Sequence, residues 1–322
     1  MESFPTPYPT NIKSAPPWFI QTPIINTLLS QFPKHDTNKH IIKQNFRQIL
    51  DQFDHPEGIY SDSSKTHLGV GAAVVTDYVA LTFKLPETAT ILTVKLFAIL
   101  QALQYAKSSA SDTVSIISDS LSVLQLLQRI YIKHPIGILI KQQFFELQSL
   151  KKKIILLWVP SHVGIVENES ADFHAREAID NPNQGITMCS PHTDLKIYFK
   201  SILLRKWNIE WQSTPFKLRE WKPKVGPWNY GTLKRREQVI ITRLRLGHNK
   251  VIHEYLISLA DQPQCYICEV ALTIHHIIVQ CPVFQLEREM CKISTESQET
   301  LSYFSASKIL NYLSALNLSN KI

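Results

Sequence analysis

The sequence has 322 residues, a hydrophobic fraction of 44% and a formal net charge of +7. The length exceeds that of a typical single domain, and the composition excludes a disordered chain. The longest purely apolar stretches, such as residues 154–159, have strand length, so we expect neither a transmembrane helix nor a membrane partner. The N-terminus lacks the features of a secretory signal, and five cysteines do not suggest a disulfide framework. We therefore expect an intracellular protein of the cytoplasm or the nucleus.

Residues 1–56 are expected to form an N-terminal tail or linker. They are rich in proline at first and then contain two short amphipathic stretches, 24–31 and 41–53. No residue pattern in this part of the chain indicates chemistry.

Residues 57–181 have the pattern of a mixed α/β domain. Short β-branched runs separated by turn residues predict an antiparallel meander, and apolar positions at helical spacing predict the helices that follow. In chain order the predicted elements are strands over 58–61, 69–75 and 79–83, a helix over 91–107, a strand over 114–118, helices over 121–130 and 136–150, a strand over 153–159 and a helix over about 169–179. Ser120 is expected to start the second helix, and Asn168 to be the N-cap of the last. These elements predict a five-stranded mixed sheet flanked by helices.

Three isolated aspartates occupy comparable places in this pattern. Asp62 ends the first predicted strand, Asp119 ends the fourth, and Asp172 opens the last helix, where the helix dipole tolerates a negative charge. A single aspartate in a loop is usually a cap or a turn residue. Three that converge from separate elements are typical of a site for two Mg²⁺ or Mn²⁺ ions about 4 Å apart, which activate water and stabilise the leaving oxygen in phosphodiester hydrolysis.

Residues 57–181 resemble the type I ribonuclease H (RNase H) domain of non-LTR retrotransposons. The resemblance rests on five segments in the order that the family has them, 59–65, 96–99, 118–120, 158–164 and 168–172. It implies an RNase H-like fold, a nucleic-acid partner and cleavage of the RNA strand of RNA–DNA hybrids. It also implies that Asp62, Asp119 and Asp172 are Mg²⁺ ligands and that His162 assists proton transfer or product release. On the sequence alone, His162 could equally be a loop residue that packs on Trp158.

The main departure from the family is Lys95, which stands where the family has a catalytic glutamate. An ammonium group among aspartates would pair with them and repel Mg²⁺, so we expect a weakened or inactive nuclease. One alternative is that Lys95 points away from the site and that another acid serves. A second alternative is a non-catalytic nucleic-acid-binding remnant. A third is a zinc-stabilised protein-interaction module, which would have no affinity for hybrid.

Residues 182–249 are expected to form a basic connector, with a polar linker over 182–194 followed by a helical region. Residues 196–250 contain 14 lysines and arginines but 3 acids, and four tryptophans lie among them, Trp207, Trp211, Trp221 and Trp228. Cations can hold phosphates and tryptophans can stack on unpaired bases, which favours contact with nucleic acid. The alternative is that the tryptophans are helix core and the cations a solvated face.

Residues 250–322 contain four side chains at metal-ligand spacing, Cys265, Cys268, His276 and Cys281. A Cys-x2-Cys turn followed by a histidine and a cysteine on a helix can complete a tetrahedral Zn²⁺ site. His275 could replace His276, and Cys189 and Cys291 are spare. The alternative is a set of buried free cysteines.

This region also resembles the C-terminal cysteine/histidine region of the same retrotransposon polyproteins, which implies a role in RNA or template binding. Taken together, the chain looks like the C-terminal third of such a polyprotein, with a tail, an RNase H domain, a basic connector and a Cys/His module.

Overall fold

The computed structural model describes most of the chain. The described residues are 23–53, 55–181, 185–186, 190–214, 219, 222–227, 230–293 and 306–322. The chain divides into two compact units, Met1–Phe199 and Lys200–Ile322. None of the helices among these residues has the length and apolar content needed to cross a bilayer.

The first unit is built on a mixed sheet of six strands. They are β1 (Ile24–Asn26), β2 (Glu57–Lys65), β3 (Val70–Val75), β4 (Ala80–Leu85), β5 (Thr113–Ser118) and β6 (Lys153–Trp158). Their order is β1-β6-β5-β2-β3-β4. The pairs β2–β3 and β3–β4 are antiparallel, as the predicted meander requires, and β2–β5, β5–β6 and β6–β1 are parallel. This is an RNase H-like fold.

The sheet has one strand more than the five expected, because β1 pairs in parallel with the outer edge of β6. The sequence interpretation placed these residues in an amphipathic stretch of the tail. Three residues are too short for a period of two to be visible, and it is the pairing with β6 that makes them a strand.

Five α-helices lie beside the sheet in the described part of residues 23–181, together with a short 3-10 helix at Leu28–Gln31. They are α1 (Lys39–Asp51), α2 (Ile91–Ser108), α3 (Leu121–Gln128), α4 (Pro135–Ser149) and α5 (Val166–Asp180). Helix α2 begins at a cap, since the Thr90 side chain accepts a hydrogen bond from the Thr93 amide. Ser120 is at the N-cap of α3, although its side chain makes no capping hydrogen bond.

The predicted start of α5 is wrong by one turn. The helix begins at Val166 with Ile165 in the N-cap position, so Asn168 is the third helical residue and is buried. Asp172 is therefore the seventh residue of α5 rather than a residue of its first turn, where the dipole effect is concentrated. Ser, Thr, Asp and Asn are preferred at the N-cap but are not required there, and here the position is occupied by Ile165.

Two hydrophobic clusters cover the two faces of the sheet. Consecutive strand residues point to opposite sides, so Ile116 joins the cluster with α2 and α4, and Ile117 joins the cluster with α1. Leu156 and Leu157 divide in the same way. A fully buried aliphatic side chain contributes about 1.5–3 kcal/mol, so these two layers fix the register that positions the strand ends.

Helix α6 (His192–Ser213) follows the sheet domain, and its first turn makes contacts with the loop before α2. The buried Asp194 carboxylate accepts hydrogen bonds from the Thr90 amide at 2.8 Å and from the Thr90 hydroxyl at 3.2 Å. The Thr88 and Ser190 hydroxyl groups also contact each other. These bonds hold the start of α2 from outside the helix.

The second unit is helical. It contains α7 (Arg235–Leu246), α8 (Lys250–His253), α9 (Tyr255–Ser258), α10 (Gln285–Met290) and α11 (Ala306–Ala315), with a π-helical turn over His276–Gln280. Its core joins α7, the π-helical turn and α11 through Ile241, Leu244, Ile278 and Tyr312. The Tyr312 hydroxyl donates to the Ile277 carbonyl oxygen at 2.6 Å, so the buried phenol is satisfied.

The expected helical connector consists of two separate helices, α6 and α7, within the described residues. Trp207 is 55% exposed, so it is not the helix core residue that one interpretation required. Trp211 is half-buried, and its indole N–H donates to the Lys222 carbonyl oxygen at 2.8 Å. Trp221 and Trp228 lie outside the described residues.

Candidate functional site

Asp62 and Asp119 lie side by side at one edge of the sheet. The parallel pairing of β2 and β5 ends at the pair Ser61–Ser118, and each aspartate is the next residue along its strand direction. Asp62 is within β2 rather than at its end, because the antiparallel pairing with β3 continues to Lys65. Where the parallel ladder stops, two carboxylates from neighbouring strands therefore meet.

Local hydrogen bonds hold both aspartates in place. The Ser63 amide donates to Asp62 Oδ1 at 2.7 Å. The Trp158 indole N–H, at the end of β6, donates to the Asp119 carbonyl oxygen at 2.9 Å. These bonds orient Asp62 and tie the backbone of Asp119 to the next strand.

Lys95, the fifth residue of α2, points directly between these two carboxylates. Its Nζ lies 2.5 Å from Asp119 Oδ1 and 3.4 Å from Asp62 Oδ1. The three side chains are 18%, 13% and 6% exposed for Lys95, Asp119 and Asp62. The alternative in which Lys95 points away from the site is wrong.

The ionisation of the pair follows from burial and mutual charge. Burial and the nearby charge of Asp119 raise the pKa of Asp62 to about 6, against the lowering effects of Lys95 and the Ser63 amide. Burial opposes the charge on Lys95, but Asp62 and Asp119 outweigh it and raise the pKa of the ammonium group. Lys95 is therefore a cation at neutral pH, held by two carboxylates.

Asp172 on α5 is close enough for its charge to raise the pKa of Asp62 as well. Its carboxylate is paired with a second cation, since Arg176 Nη2 lies 2.7 Å from Asp172 Oδ2. Arg176 is a residue of this site that was not predicted from the sequence. The signal was available, because residues four apart on a helix face the same side.

His162 lies in the loop before α5 with a left-handed backbone, at φ 55°. Its ring is 59% exposed, and Nδ1 is 4.0 Å from Asp172 Oδ2. His162 is thus at the rim of the aspartate group, within reach of solvent.

The side chains present do not fit a two-metal site. In a magnesium site the carboxylate oxygens are free to coordinate the ion. Here Asp62 and Asp119 are both paired with the Lys95 ammonium group instead. A divalent ion about 4 Å from that ammonium would be repelled by about 2–8 kcal/mol, depending on the effective dielectric constant. The lysine therefore opposes metal binding at the place where the family pattern predicts it.

The second group of chemically active side chains is in the second unit. One ligand atom from each of Cys265, Cys268, His276 and Cys281 lies within 4.8 Å of the others. Cys265 and Cys268 lie in a turn that is closed by a bridge between Gln264 and Ala271. His276 begins the π-helical turn and Cys281 ends it, so the wide turn brings together residues five apart.

The geometry selects among the residues that the sequence left open. His276 is buried with its Nε2 atom lacking a hydrogen-bond partner, whereas His275 is exposed and outside the group. The Sγ atoms of Cys265 and Cys281 are 3.7 Å apart. Cys291 is a half-buried free thiol outside the group, and Cys189 lies outside the described residues. An orphaned buried imidazole facing three thiols has the donor set that Zn²⁺ prefers.

Comparison with known proteins bears on the first of these sites. Residues 54–180 match the RNase H family model. A search of curated proteins gave no match. The matched segment contains β2 to β6 with α2 to α5, and it includes Asp62, Lys95, Asp119, His162 and Asp172. Residues 54–180 therefore match the RNase H family both in sequence and in their RNase H-like fold.

Proposed function

We propose that this RNase H domain binds RNA–DNA hybrid and that Lys95 suppresses its hydrolysis of the RNA strand. The observation that carries the proposal is the position of the Lys95 ammonium between Asp62 and Asp119. The family match supports hybrid as the ligand, and the family's usual ion is Mg²⁺. In this proposal Asp62, Asp119 and Asp172 retain the places of metal ligands, and His162 retains that of the proton-transfer or product-release residue. The enzyme is weak or inactive because one ligand has become a cation.

Cleavage of a labelled hybrid in Mg²⁺ or Mn²⁺ tests the proposal. Lys95→Glu should cleave at least about 100-fold faster than the native chain, because a bound metal supplies several kcal/mol to phosphodiester hydrolysis. Lys107→Glu is the matched control, since Lys107 is on the same helix in an exposed pair with Glu146. Robust cleavage by the native chain would contradict the proposal.

We also propose that the cations of the second unit contact nucleic acid. Lys234 and Arg235 are exposed at the start of α7, while the buried side of that helix carries Ile240, Ile241 and Leu244. Replacing both cations by alanine should reduce the slope of log affinity against log salt by about 2, because each phosphate contact contributes about 0.9. Lys107→Ala should leave the slope unchanged. An unaltered slope in the double variant would contradict this role.

The Cys/His group is proposed as a structural zinc site. Cys265, Cys268, His276 and Cys281 would hold the ion, and Zn²⁺ bound there would cross-link the turn at 265–268 to the π-helical turn. Metal analysis of the purified chain should give one zinc per molecule, and Cys268→Ser should lose it. Cys291→Ser should retain it, since Cys291 is outside the group. A folded native chain without zinc would contradict the site.

Two further proposals concern origin and compartment. The order of an RNase H domain, a basic segment and a Cys/His group supports descent from a non-LTR retrotransposon polyprotein. Zinc ligation needs thiols that stay reduced, which supports a location in the cytoplasm or the nucleus. Fractionation of cells that express the tagged chain would test the proposed compartment, and secretion of the chain would contradict it.

A further inference from the structure

The aspartate group is already neutralised by side chains of its own domain. Lys95 pairs with Asp62 and Asp119, and Arg176 pairs with Asp172. Three carboxylates and two cations leave a net charge of −1 over these five side chains. A family site with glutamate at position 95 would carry four carboxylates before any metal bound.

Charge at this place matters for binding as well as for hydrolysis. A phosphate backbone that approaches clustered carboxylates is repelled unless cations lie between them. Divalent ions do this in a site made only of carboxylates. Here a cation is already part of the protein, since the Lys95 ammonium on α2 lies against the carboxylates and is only 18% exposed.

We propose that Lys95, assisted by Arg176, takes the place of divalent ions in nucleic-acid binding, so that the RNase H domain binds hybrid equally well with and without Mg²⁺. This rests on the hybrid binding proposed above. It adds that a lysine at position 95 makes the domain a binder of hybrid that needs no Mg²⁺, in place of a nuclease that needs it.

The test is the affinity of the full chain for a fluorescent hybrid, measured by anisotropy. The RNA strand carries 2′-O-methyl groups so that no variant can cleave it. Mg²⁺ is omitted from the buffer rather than chelated, because a chelator would also remove zinc from the second unit. Ionic strength is kept constant with monovalent salt, since Mg²⁺ also competes for phosphates.

The native chain should change affinity by less than about twofold between the two buffers. Lys95→Glu should bind at least about tenfold more weakly than the native chain without Mg²⁺, and Mg²⁺ should restore its binding. Lys107→Glu makes the same charge change in an exposed pair on the same helix and should behave like the native chain. Lys95→Gln is the second variant, because it adds no carboxylate, and its dependence on Mg²⁺ should be intermediate.

The outcomes separate this inference from the proposal on which it rests. If the native chain binds hybrid only when Mg²⁺ is present, the inference is wrong and hybrid binding stands. If both Lys95 variants bind without Mg²⁺ as well as the native chain does, the inference is again wrong, since the affinity then comes from another basic surface. If the native chain binds hybrid in neither buffer, both are wrong.

Discussion

Two clusters of ligand-type side chains differ in whether their ligand atoms are paired with cations of the protein. They are the aspartate cluster (Asp62, Asp119 and Asp172) and the Cys/His cluster (Cys265, Cys268, His276 and Cys281). Each gathers metal-ligand side chains from separate elements. In the aspartate cluster the ligand oxygens are paired with Lys95 and Arg176. In the Cys/His cluster the neighbouring cation, Arg288, donates to the Cys281 carbonyl oxygen, and His276 Nε2 has no partner. Ligand-type side chains therefore predict metal binding only where no cation of the protein already pairs with them.

The largest expected effect is loss of order around the Cys/His cluster when the proposed zinc ion is removed. Structural zinc contributes about 10–16 kcal/mol in small modules, which is comparable with the whole stability of a domain. Hydrogen exchange of the full chain should show residues 276–280 losing protection with a zinc chelator or in Cys265→Ser. Strands β2 and β5 should stay protected, and Cys291→Ser should match the native chain. Equal loss of protection in both units would contradict the prediction that the metal stabilises the Cys/His cluster and not the sheet.

The second prediction concerns Lys95→Met. Removing one partner of a buried ion pair costs about 3–5 kcal/mol, because the other charge stays buried without compensation. Denaturant unfolding at neutral pH should show this loss. Lys107→Met, which removes one partner of an exposed pair, should cost less than about 1 kcal/mol. Equal costs for the two variants would mean that the Lys95 pair is not a structural substitute for a metal.

The third prediction concerns His134, a histidine outside both clusters, and the pH dependence of the free energy of unfolding. Burial lowers the pKa of His134, against the raising effect of Asp194, and His192 lowers it further. The neutral ring is therefore favoured by folding, so its contribution is present above the unfolded pKa and is lost as pH falls through the lowered folded pKa. His134 Nε2 lies 2.9 Å from the Thr93 hydroxyl oxygen.

His134→Gln should consequently lose less unfolding free energy than the native chain between about pH 7 and about pH 5. The change should be smaller than that of Lys95→Met, since a neutral side chain can keep the contact with Thr93. Parallel pH dependence of the two proteins would show that acid acts on this unit through other groups.

The smallest expected effect is that of Arg176→Gln on stability. The pair joins residues four apart on a helix and its Arg176 side chain is 60% exposed, so it is worth about 0.3–0.5 kcal/mol. The variant should therefore unfold within about 0.5 kcal/mol of the native chain. A loss comparable to that of Lys95→Met would mean that the two cations have equal structural weight.

Five of the six strands and the helices that follow them could be predicted, since short β-branched runs and apolar positions at helical spacing are visible in the sequence. Strand β1 was not predictable, because three residues show no period and its partner residues in β6 are far along the chain, Ile24 pairing with Ile155. The start of α5 was misplaced because Asn168 is a good capping residue that the fold buries instead.

Within the site, the identities of Asp62, Asp119 and Lys95 could be predicted, but their pairing could not. A sequence motif does not say which way a helix side chain points, and it is the register of β2 on β5 and the packing of α2 that bring Lys95 to both carboxylates. The choice of His276 over His275 likewise depended on the π-helical turn, a geometry with no reliable sequence signal.

The hydrogen bonds from Thr90 to Asp194 have a practical consequence for where the folded domain stops. Helix α2 carries Lys95, and its first turn is fastened by a carboxylate that lies beyond the segment matched by the family model. A fragment cut at residue 180 would leave that turn without its anchor and would loosen the lysine that defines the site. Work on an isolated fragment should extend at least through residue 199, where the first compact unit ends.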